Sequence, residues 1–148
     1  MISILFYFIS ACLASSAFGL VFDLRGKTLI YGAMGGGFGW VIYRLLDPLT
    51  GYALAFFVAA VFVSVYAEVM ARLRKMPASV YILVGMLPLV PGEGIYLTMS
   101  TLVSGDYLGF SEVSRKTFGS AGILALAILL VSSVARLLAQ VKEKRMSQ

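Results

Sequence analysis

Histidine is absent from this 148-residue chain, and cysteine occurs once, at Cys12. A lone thiol cannot close a disulfide within the chain, and His-centred catalysis and Cys/His metal sites are excluded. Charge is also scarce: 13% of the residues are Asp, Glu, Lys or Arg, against 60% apolar. That balance reads as an integral membrane protein. It leaves room for about five spans of roughly 20 residues and none for a separate soluble domain. The net charge of +5 does not indicate nucleic acid, because the basic residues flank apolar segments instead of forming one surface. The glycine cluster at 32–39 lacks a Walker lysine and a preceding strand, so it is not a phosphate loop. No enzyme, cofactor or metal is expected.

The expected architecture is all-α: a single transmembrane domain over residues 1–148, with spans at about 2–22, 28–46, 52–71, 77–103 and 118–141. The first run lacks a positive n-region and is longer than a signal peptide's apolar core, so it reads as a retained span. The second carries Gly32, Gly35, Gly36 and Gly39, two small-xxx-small pairs that suit close helix packing; a flexible or substrate-lining segment is the other reading. Asp47-Pro48-Leu49-Thr50-Gly51 has turn composition. Glu68 and Arg72 are four apart on the third span, which predicts a local ion pair, with ion coupling as the alternative. Residues 110–117 read as a short interfacial stretch before the last span.

The fourth segment is interrupted by Pro88-Leu89-Val90-Pro91-Gly92-Glu93-Gly94. Two prolines remove backbone donors and two glycines loosen the chain, which predicts a broken helix. As one helix, 77–103 would be roughly 40 Å long, against a hydrocarbon core of about 30 Å. The break is therefore expected near the midplane, where irregular backbone and an ionisable residue mark function. A second half-helix starting near Gly94 offers unpaired N–H groups to an anion, and the carbonyls ending the first half suit an ammonium group. Glu93, buried there, would carry a proton or face a substrate ammonium. The candidate substrate-binding residues are Pro88, Pro91, Gly92, Glu93, Gly94 and Tyr96. The alternative is that the prolines only kink a packed helix.

Basic residues set an orientation. Arg25, Lys27, Arg72, Arg74, Lys75, Lys142, Lys144 and Arg145 fall on one side of a five-span layout, and only Arg44, Arg115 and Lys116 on the other. The positive-inside rule then puts the N-terminus outside and the C-terminus in the cytoplasm of a multi-pass plasma-membrane protein.

The PxxPG element at 88–92, the following Gly94-Ile95-Tyr96, Gly105-Asp106-Tyr107 with Gly109 and Phe110, Phe22-Asp23 with Arg25, and the glycine-rich second span together resemble the threonine/serine exporter family. The likeness is to its short C-terminal-type half, which occurs as a separate small subunit. It implies export of threonine and serine, or in split systems of a dicarboxylate such as succinate, driven by the proton gradient beside a larger membrane subunit. An odd span count agrees independently, since a five-span companion would have inverted topology. No acid is associated with the position of Glu93 across that family, which points to substrate choice instead of a shared coupling role. The competing class is a non-transporting scaffold subunit that packs through its glycine-rich helix.

Overall fold

The computed structural model describes residues 2–146, with side chains for 3–141. The basic tail at Lys142, Lys144 and Arg145 lies outside the described side chains. Six α-helices follow one another: α1 (Ile2–Val21), α2 (Gly26–Thr50), α3 (Tyr52–Arg74), α4 (Ala78–Met86), α5 (Gly92–Val103) and α6 (Tyr107–Met146). A 3-10 turn, Leu87–Leu89, follows α4, and no strand occurs among the described residues. α1, α3 and α6 are each long and apolar enough to cross a membrane. α4 with its 3-10 turn and α5 meet that test together, bent by 54°.

The bundle is built inside out relative to a soluble domain. Large apolar residues such as Leu13, Leu129 and Leu137 face outward, while the interior is Ala55, Ala59, Ala60, Val63, Ala67 and Ala127 with the glycines of α2. Lipid solvates the large side chains as well as a core would, so small residues at the contacts let the backbones close up. α2 lies at the centre. Gly37 faces Phe8 and Cys12 of α1, Gly35 faces Tyr66 of α3, Gly32 faces Val84 of α4, and Gly36 faces Ser15 and Pro88. Gly39 packs on Val63 and Leu89. α6 docks on α3 through Leu124 and Ala127, and runs parallel to it: Tyr52 is hydrogen-bonded to Ser120 at one end and Arg72 to Ala135 at the other.

Two boundaries differ from the sequence expectation. α2 continues through Pro48 to Thr50, where a turn was expected. Proline in the last turn leaves only the carbonyl four residues earlier without its helical donor, near the helix end, and Thr50 donates back to the Leu46 carbonyl at 3.0 Å. The reversal into α3 contracts to Gly51, with φ 81° and ψ 159°, a conformation reserved for glycine. Gly51→Ala meets no steric neighbour, so its cost is backbone strain, on the order of 1–3 kcal/mol. A lowered thermal midpoint of the detergent-solubilised protein checks this.

The stretch 110–117 is part of α6, which runs unbroken from Tyr107 for 40 residues. Its polar side chains bond to their own helix: Ser114 to the Phe110 carbonyl (2.5 Å), Thr117 to Val113 (2.8 Å) and Ser120 to Lys116 (2.7 Å). Gly119 falls among them without interrupting the helix, and Gly109, just before them, has a local task. α5 ends in a left-handed Gly105 (φ 76°) with Asp106 N–H on the Thr101 carbonyl. Asp106 then caps α6 by accepting from Gly109 N–H at 3.0 Å. A β-carbon at 109 would collide with that carboxylate. Asp106→Ala is expected to cost about 1 kcal/mol, and amide exchange should rise first in 107–110.

The Glu68–Arg72 ion pair expected from spacing is not formed. Arg72 instead donates to the Ala135 carbonyl of α6 at 3.2 Å, because the guanidinium reaches a neighbouring helix that the spacing argument does not contain.

Candidate functional site

Pro88 supplies no N–H, so α4 tightens into the 3-10 turn, and Val90 (φ −65°, ψ 128°) leaves the helix altogether. Local turns take the carbonyls at the break: Val90 N–H bonds Leu87 O (3.1 Å), Gly92 N–H bonds Val90 O (2.7 Å) and Ile95 N–H bonds Pro91 O (3.0 Å). Pro88 is beside Gly36, near the middle of α2, so the break lies halfway along the central helix. α5 does not resume that path. It packs against α6, with Gly94 and Thr98 on Thr117, and makes no comparable contact with α1 to α4. Thr117 is one turn before Ser120, the partner of the first residue of α3, so α5 begins near the N-terminal end of α3.

The divergence opens a cavity of about 730 Å³, within the usual size of small-molecule sites. One wall is aromatic. Trp40 and Tyr43 of α2 stand 5.4 Å apart, and Tyr52 stacks on Phe56 of α3 at 5.5 Å, with Tyr43 edge-on to both. A second wall is polar, formed by Lys116, Thr117 and Ser120 of α6, and meets the aromatic one where Tyr52 and Ser120 are hydrogen-bonded. Residues 88–94 form the floor between them. α5 begins without a side-chain cap; among the described residues the N–H groups of Glu93 and Gly94 have no partner, so the positive end of the helix faces the cavity.

Of the residues singled out in the sequence, Pro88, Pro91, Gly92, Glu93 and Gly94 line this cavity, whereas Tyr96 does not: it points outward, 71% exposed. Glu93 is exposed at the mouth instead of buried, since the 54° bend carries α5 away from the bundle. The aromatic wall and Lys116, Thr117 and Ser120 were not anticipated. The signal was present: 116, 117 and 120 share one helical face, but it is legible only once 107–120 is read as one helix. Lys116 makes an ion pair with Glu112 at 2.9 Å, both side chains well exposed.

The glycines at 32, 35, 36 and 39 belong to a different part of the molecule, the packed centre behind the floor of the cavity.

An all-helical membrane bundle with a solute-sized chamber at a bent helix pair has the form of a transport protein. Residues 7–134 match the family described as threonine/serine exporter, ThrE, and the chain belongs to that family. It is a family of transporters, not enzymes. No curated protein and no solved structure matches the chain.

Proposed function

We propose that the chain is one half of a secondary transporter that exports threonine and serine, coupled to protons, and that its cavity is the substrate site. What carries this reading is the pairing in one chamber of an acid, Glu93, with two anion-holding features, Lys116 and the uncapped start of α5. A zwitterionic amino acid fits, with its carboxylate between the α5 N–H groups and Lys116 and its ammonium on Glu93. Thr117, Ser120 and Tyr52 offer hydroxyls to a hydroxylated side chain. A dicarboxylate such as succinate fits less well, because its second carboxylate would face Glu93.

In this reading α2 crosses the membrane as well, its glycines screened from lipid by α1, α3 and α4, and the bent pair counts as one crossing. Five crossings then put the N-terminus outside and the C-terminus in the cytoplasm of the plasma membrane. α5 and the start of α6 form an arm with outward apolar residues such as Val103 and Leu108, 85% and 88% exposed. That arm and the open side of the cavity await a larger membrane subunit of the same family, with the site completed between the two. The rival scaffold reading shares the arm but has no use for the charged chamber.

Radiolabelled threonine efflux from cells expressing this chain with its larger partner is the test. Efflux should require both chains. Efflux unchanged on deleting this one would leave it a scaffold.

A further inference from the structure

A second cavity, of about 490 Å³, lies along the seam between α3 and α6. Along α3 it extends from Phe57 to Arg72, roughly 22 Å at helical rise, enough to cover one leaflet of a hydrocarbon core about 30 Å thick. Apart from Glu68 and Arg72 its walls are apolar, and residues such as Val65, Val134 and Leu138 are about half exposed, so the groove opens on the outer face of the bundle.

Two charges interrupt the apolar lining. Glu68 and Arg72 are one helical turn apart and not paired with each other. The Ala135 carbonyl holds the Arg72 guanidinium at the groove, in the last turn of α3 beside Arg74. A basic last turn of a crossing helix meets the head groups.

We propose that this groove binds one phospholipid, phosphatidylethanolamine, with an acyl chain along the α3–α6 seam, its phosphate on Arg72 and its primary ammonium on Glu68. Apolar walls alone call only for a chain. An anionic lipid such as phosphatidylglycerol satisfies Arg72 with its phosphate but leaves Glu68 without a cationic partner. A quaternary head group brings the charge without an N–H donor. A phosphate linked to a primary ammonium supplies both partners, and basic sites between membrane helices commonly hold head groups.

The test is native mass spectrometry of the full-length chain, purified in mild detergent and offered phosphatidylethanolamine, phosphatidylglycerol and phosphatidylcholine in equal amounts. Wild type should retain phosphatidylethanolamine roughly tenfold over phosphatidylcholine, the scale of one charge-assisted bond. Glu68→Gln should lose the preference over phosphatidylglycerol while still retaining lipid, a switch that an unfolded variant would not show. Val134→Trp, which fills the groove and leaves both charges intact, should lose all three. Equal retention of the three lipids by wild type, or unchanged selectivity in Glu68→Gln, overturns the proposal. So does a photo-crosslinker at 134 that captures polypeptide instead of lipid when the larger subunit is present.

Discussion

Replacing Lys116 by glutamine should raise the concentration of threonine needed for half-maximal efflux about tenfold, with the chain still folded and assembled. The figure follows from losing one charge-assisted hydrogen bond to a carboxylate, on the order of 1.5–3 kcal/mol when desolvated, with the lower end taken because Lys116 is well exposed in the chain by itself. Its ion pair with Glu112 makes a control available. Glu112→Gln releases Lys116 from its present partner and should leave efflux equal or better, whereas a purely structural role for the pair would make the two variants equivalent. Glu93→Gln separates the substrate classes. Removing that carboxylate should weaken threonine efflux by a similar factor and relieve repulsion of succinate, so the ratio of the two should move towards the dicarboxylate. A parallel fall of both would take Glu93 out of substrate contact. A variant series read only at saturating threonine would miss the effect, since binding is what these groups supply.

How much of this was legible before the structure depends on whether the decisive contact was local. Helical membrane character and family follow from composition and from the PxxPG, GDY and glycine-rich elements, which are contiguous in sequence. Local rules failed where a helix could satisfy its own polar groups. Pro48 was punctuation by composition, yet in a last turn it costs little, and the stretch 110–117 looked interfacial although Ser114 and Thr117 each return the hydroxyl to a carbonyl of their own helix four residues back. Tertiary competition accounts for the rest. Spacing put Glu68 and Arg72 on one face, but the Ala135 carbonyl of another helix claimed the guanidinium. Glu93 was expected to be buried because the second half-helix was taken to continue the first, whereas it is exposed. The direction of α5 is fixed instead by its packing on α6, through Gly94 against Thr117, a contact between residues too far apart in sequence for any periodicity to reveal.

The central helix carries the second large expectation: Gly36→Val should abolish accumulation of folded protein, while the same change at Gly122 should not. A β-carbon at 36 would strike the Ser15 hydroxyl and lie 3.2 Å from both the Gly85 carbonyl and Pro88 Cγ. Ser15 can be shortened, but a backbone carbonyl and a proline ring at the helix break cannot move aside without reshaping the floor of the cavity. Overpacking a dense interior typically costs 1–3 kcal/mol for added methylenes, and a branched side chain between three elements should exceed that. Gly36→Ala is the informative intermediate. Paired with Ser15→Gly, it should regain part of the lost stability, the remainder measuring the two 3.2 Å contacts that Ser15 does not control. Gly119 and Gly122 of α6 have open space where a side chain would go, and replacing either with alanine should stabilise the isolated chain slightly through helix propensity, by up to about 1 kcal/mol. If those alanines leave the chain folded but prevent co-purification of the larger subunit, the outward glycine face of α6 is where that subunit docks, and the close packing seen inside α2 recurs between the two halves of the transporter.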